Sequence, residues 1–86
     1  MTLSARHRKM LGAIFADPVS GSIKWRDIEA MLVALGCESV EGSGSRVRVV
    51  LGTATAVFHR PHPSPDTDKG AVKAVRRFLR SAGVEP

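Results

Sequence analysis

The sequence predicts an α+β domain, on two observations. Residues 4–16, 25–35 and 67–83 repeat apolar side chains at helical spacing, while residues 45–59 alternate at a period of two about a reversal at Gly52-Thr53. The 86-residue length allows one core, because a shorter half would bury too little apolar surface to fold alone, so residues 1–86 form a single domain. A hydrophobic content of 43% with 24% charged residues is that of a globular chain, and no run of about 18 apolar residues is present to span a membrane. The opening "MTLSARHRKM" is basic but lacks the apolar segment and cleavage site of a secretory signal, so a cytoplasmic address is expected.

The first helix, residues 4–16, gathers Leu3, Leu11, Ile14 and Phe15 on one face and keeps His7, Arg8 and Lys9 away from it or at its edge. Asp17-Pro18 stops it, and "PVSGS" follows as a loop. The second helix carries Trp25, Ile28, Leu32 and Leu35 at helical spacing and is closed by Gly36. Cys37, the only cysteine, excludes an internal disulfide and is read as a small buried hydrophobe; "CESVE" then predicts a short edge strand.

In the hairpin, Val47, Val49 and Leu51 face one way. A two-residue turn beginning with Gly52 sets the register, with Leu51 opposite Ala54, Val49 opposite Ala56 and Val47 opposite Phe58. That face is wholly apolar. On the other face the same register places Arg48 across from Val57 and Arg46 across from His59. Pro61, Pro63 and Pro65 forbid a regular ladder beyond His59, so "RPHPSPD" is an extended connector. The last helix starts at Thr67 or Asp68, either able to cap it, and ends at Gly83. Its apolar side holds Ala71, Val72, Val75, Phe78, Leu79 and Ala82, while Lys69, Lys73, Arg76, Arg77 and Arg80 lie within an arc of about 100° on the other.

A net charge of +5 on a small domain is the footprint of a polyanion binder. Aromatics are only 5% and Tyr is absent, which argues against a base-stacking platform, so recognition would rest on phosphate and shape. No acid interrupts the stripe on the last helix, unlike ordinary solvated faces, which mix signs; RNA or a carboxylate-rich protein would both fit it. His59 and His62 are three residues apart on an extended segment, where they do not converge as helical metal ligands do, and no metal or other cofactor is expected. One imidazole beside an arginine is a plausible minimum for RNA cleavage, the base taking the 2′-OH proton while cations stabilise charge on the phosphate. Taken one residue at a time, however, a histidine near a Pro-rich turn is more often structural.

Taken together, "IEAMLVALG", Gly44-Ser45, the hairpin, "RPHP" and "DKGAVKAVRRFLRSAG" resemble the HicA family of bacterial toxins, over roughly residues 24–84. The resemblance implies a fold similar to the double-stranded-RNA-binding domain, with a three-stranded antiparallel sheet carrying helices on one face. It implies metal-independent cleavage of mRNA and a HicB-like antitoxin as partner. One departure stands out: the family's catalytic histidine follows Gly-Ser, and Arg46 occupies that position here. Either cleavage is lost and RNA binding kept, or His59, across from Arg46, has taken the role. The site residues expected are therefore His59 and Arg46 for chemistry, Arg48, Lys69, Lys73, Arg76, Arg77 and Arg80 for RNA, and His62 in a secondary place. Residues 1–20 are an addition to the family pattern, suited to covering a sheet edge or extending the antitoxin interface. A silent RNA-binding module, or a basic domain that docks an acidic protein, are the alternative readings.

Overall fold

In the computed structural model, which describes residues 3–86, Ser4 Oγ accepts the His7 N–H at 3.2 Å and caps α1, Ala5–Phe15. The second helix, α2 (Trp25–Ala34), has no side-chain cap. Backbone bonds anchor its start instead: Trp25 N–H donates to Pro65 O at 3.1 Å and Thr67 N–H to Ile23 O at 2.7 Å, while Lys24 Nζ meets Asp66 Oδ1 at 2.6 Å. The Pro-rich connector is thereby fixed against the entry to α2. Gly36, at φ +93°, takes the chain out of α2 through the left-handed region.

The expected edge strand forms as β1, Glu38–Glu41, and the hairpin as β2, Arg46–Leu51, and β3, Ala54–His59. All three are antiparallel in the order β1-β2-β3. Gly52 has φ +60° and no described non-glycine residue has a positive φ, so the β2–β3 turn is the type that opens on glycine. The register follows from it: Leu51 pairs with Ala54, Val49 with Ala56, Val47 with Phe58, Arg48 with Val57 and Arg46 with His59. In the β1–β2 turn, a Cβ on Gly42 would come within 3.2 Å of Arg46 Cβ and 3.3 Å of its carbonyl oxygen, so a side chain there would press the turn against Arg46.

Val47, Val49 and Phe58 on the inner face are buried together with Ile28, Met31 and Leu32 of α2 and Val72, Val75, Phe78 and Leu79 of the last helix, α3 (Lys69–Ser81). Trp25 and Phe58 rings lie 5.6 Å apart and Phe58 meets Phe78 edge-on at 6.0 Å, linking α2, β3 and α3. Each such pair contributes about 0.5–1.5 kcal/mol beyond its buried area. Helix α1 packs against α2 and α3 and does not cover a sheet edge, because its Leu11 and Ile14 enter the same core. Asp68, not Thr67, caps α3, accepting the Ala71 N–H at 2.8 Å. Thr67 is instead buried, its Oγ1 without a partner among the described residues. Cys37 is only half-buried, with its thiol pushed up by desolvation. No described helix is long and apolar enough to cross a membrane.

Candidate nucleic-acid interface

The outer face of the sheet is built by the hairpin's parity. Arg60 N–H donates to Ser45 O at 2.9 Å, which makes Ser45 and Arg60 a hydrogen-bonded pair and leaves Arg46–His59 and Arg48–Val57 as the intervening non-hydrogen-bonded pairs. In such pairs the Cα atoms are only about 4.5 Å apart and the side chains lie closest. Arg46, Arg48 and His59 are all exposed on this face. The Arg48 and His59 side chains have no hydrogen bond among the described residues, whereas the Arg46 guanidinium donates back to the Ser43 carbonyl at 3.4 Å and to Ser43 Oγ. The β1–β2 turn thus holds Arg46 in place. Across the three strands Val40, Arg48 and Val57 form one row, the valines 47% and 55% exposed, so Arg48 stands between two apolar neighbours.

The cationic stripe on α3 divides in two. Arg76 turns toward α1, its Nε donating to Ile14 O and its Nη2 to Ala16 O, both at 2.9 Å, with Asp17 Oδ1 at 3.2 Å from Nη1. With its side chain only 11% exposed, Arg76 caps the C-terminal carbonyls of α1 and has little left for a phosphate. Arg80, one turn on, stays exposed and lies over the Phe15 ring at 5.4 Å. Lys69, Lys73 and Arg77 form the second ridge, at i, i+4 and i+8, exposed and without an ion pair or side-chain hydrogen bond among the described residues. Arg77 lines a groove of about 270 Å³ with Thr55, Ala56, Val57 and Phe58 of β3 and Ala74, Phe78 and Ser81 of α3. Since Val57 also belongs to the Arg48 row, the sheet-face arginines and the helical ridge meet at β3.

Arg60 and His62 fall outside this surface. Arg60, which adjoins His59, points to the inner side: its Nε lies 2.5 Å from Glu29 Oε1, and Nη1 and Nη2 lie 2.6 and 2.7 Å from the two Glu41 oxygens. Glu29 also accepts from Trp25 Nε1. These bonds raise the Arg60 pKa further above its ordinary value and hold the Glu41 carboxyl below its own, in each case chiefly through the Arg60–Glu41 hydrogen bonds. Arg60 therefore fixes the residue next to His59 and was not singled out from sequence; its shared parity with Phe58 was the available signal. His62 is exposed in the connector, and no hydrogen bond brings it to the outer sheet face. Among the described residues no group of three or more His, Cys, Asp or Glu converges.

Comparison with known proteins bears on this arrangement. No curated protein and no solved structure matches the chain. The family model described as the HicA toxin of bacterial toxin–antitoxin systems matches residues 25–84, from the first residue of α2 to just beyond Gly83. That span takes in the whole sheet, α2 and α3, and of the described helices and strands leaves out α1 alone, so the chain belongs to the HicA toxin family.

Proposed function

We propose that this HicA-family toxin binds mRNA across the outer sheet face and the α3 ridge, and cleaves it with His59 as general base. The observation that carries the reading is the Arg46–His59 pair, directly across one another on an exposed face with Arg48 one row away. His59 takes the proton of a ribose 2′-OH, the freed oxygen attacks the adjacent phosphorus, and the 5′-oxygen leaves with a proton from solvent. Arg46 and Arg48 stabilise the charge that builds on the phosphate oxygens. Lys69, Lys73, Arg77 and Arg80 hold the flanking backbone, and the site of action is the cytoplasm. Arg76 is left out of the RNA set because its donors are engaged by α1.

His59→Ala tests the chemistry. Cleavage of an RNA oligonucleotide should fall by about 10²- to 10⁴-fold while binding persists, with His62→Ala as control. The parent should generate 2′,3′-cyclic phosphate ends and keep its activity in chelator, since the ribose hydroxyl is the nucleophile and no metal takes part. The resemblance that puts Arg46 where the family's catalytic histidine follows Gly-Ser favours a second reading, a binding module without cleavage. Intact RNA after incubation with parent protein freed of its partner would decide for that reading.

A further inference from the structure

The edge of β3 is open and differs in kind from the edge of β1. The hairpin's pairing directs the N–H and C=O groups of Ala54, Ala56 and Phe58 toward β2, so those of Thr55 and Val57 point out of the sheet. Neither Thr55 nor Val57 has an outward backbone partner among the described residues. The outer edge of β1 is equally unpaired among the described residues but carries Glu38 and Glu41, charges of the kind that keep strange strands away. From Ala54 to Phe58 the β3 edge has no charge, and Val57 is 55% exposed.

Beside this edge lies the β3–α3 groove, with Ala56, Ala74 and Phe78 as its apolar part and Arg77 at its rim. Ser81 adds no free donor, its hydroxyl already bonding to Phe78 O at 2.9 Å. Arg77 has no ion pair among the described residues, and Lys73 stands one turn before it. We infer that β3 accepts a fourth strand from a protein partner: an extended, acidic segment whose backbone pairs with Thr55 and Val57, with one apolar side chain in the groove and a carboxylate two residues away on Arg77. Strand addition supplies main-chain hydrogen bonds for affinity, and the groove with its cation supplies the choice of segment. Because it covers Arg77, such a segment also withdraws a cation from the RNA-binding ridge; that consequence alone rests on the function proposed above.

The test uses the full chain and a labelled Ser-Val-Glu-Val-Glu-Val-Ser peptide, with a Lys-for-Glu peptide as comparison, read by fluorescence anisotropy and by amide chemical shifts. The acidic peptide should bind and shift the Thr55 and Val57 amides, and the lysine peptide should not. Val57→Pro removes one outward donor without touching the β2–β3 ladder, so it should weaken the peptide by about tenfold or more, while Val57→Thr binds as the parent does. Val57→Pro should keep the parental amide shifts of Val72 and Val75 in the core, so that the loss is of the edge and not of the fold. Equal peptide binding by Val57→Pro and parent would show attraction by charge alone and overturn strand addition, as would no binding at millimolar peptide. An RNA oligonucleotide that moves the Thr55 and Val57 amides more than the peptide does would give the groove to RNA and overturn it too. The peptide arm makes no use of RNA, so failure of the RNA reading leaves it standing or falling by itself.

Discussion

Arg76 and Arg77 are adjacent in sequence and 100° apart on the helix, and that angle decides what each can do. Arg76 donates to Ile14 O and Ala16 O in a nearly closed setting, whereas Arg77 stands exposed at the β3 groove. Arg76→Gln leaves those two carbonyls short of donors, which costs about 1–3 kcal/mol, while Arg77→Gln should change stability by no more than about 0.5 kcal/mol. Urea denaturation of the two variants measures both; equal destabilisation would refute the capping role. The stripe itself was legible from the 100° step of the helix, but its division was not, because the partner carbonyls lie 62 and 60 residues away. Arg60 was illegible for the same reason: its glutamates lie 31 and 19 residues back.

Among the elements, the hairpin was the most legible. A two-residue turn with glycine first admits one register, and one register fixes every pair on both faces, Arg46–His59 included. Helix α1 was legible as a helix but not in its placement. Amphipathic spacing says that Leu11 and Ile14 must be covered without saying by what, and the structure covers them with α2 and α3. The added helix is therefore part of the core, although the family match begins only at residue 25. Ile14 is 0% exposed, so Ile14→Ala should cost about 2–5 kcal/mol, against a small change for Val33→Ala, at 64% exposure. Thermal unfolding compares them. Parental stability in Ile14→Ala would mean that α1 is an appendage and that residues 25–84 fold without its support.

At the scale of the whole molecule, ion pairing decides where the net charge of +5 is felt. Glu29 and Glu41 are held by Arg60, Asp17 by Arg76 and Asp66 by Lys24, so these carboxylates neutralise cations at the joints of the fold. Arg48, Lys69, Lys73 and Arg77 keep no such partner among the described residues and lie on the outer sheet face and the α3 ridge. A polyanion is thus attracted to that surface. Binding there releases counterions from the RNA, and for a single strand the slope of log affinity against log salt has a magnitude of about 0.7 per phosphate engaged. Three or four contacts predict a slope of magnitude about 2–3 between 50 and 200 mM salt. Changing Lys69, Lys73 and Arg77 together to Gln should lower that magnitude by about 2, with the unfolding midpoint nearly unchanged because all three are exposed. Changing Arg60 to Gln should do the reverse: the fold loses stability as Glu29 and Glu41 lose their partner, while the slope holds. A triple variant that keeps the parental slope would place the phosphates elsewhere and remove the α3 ridge from the interface.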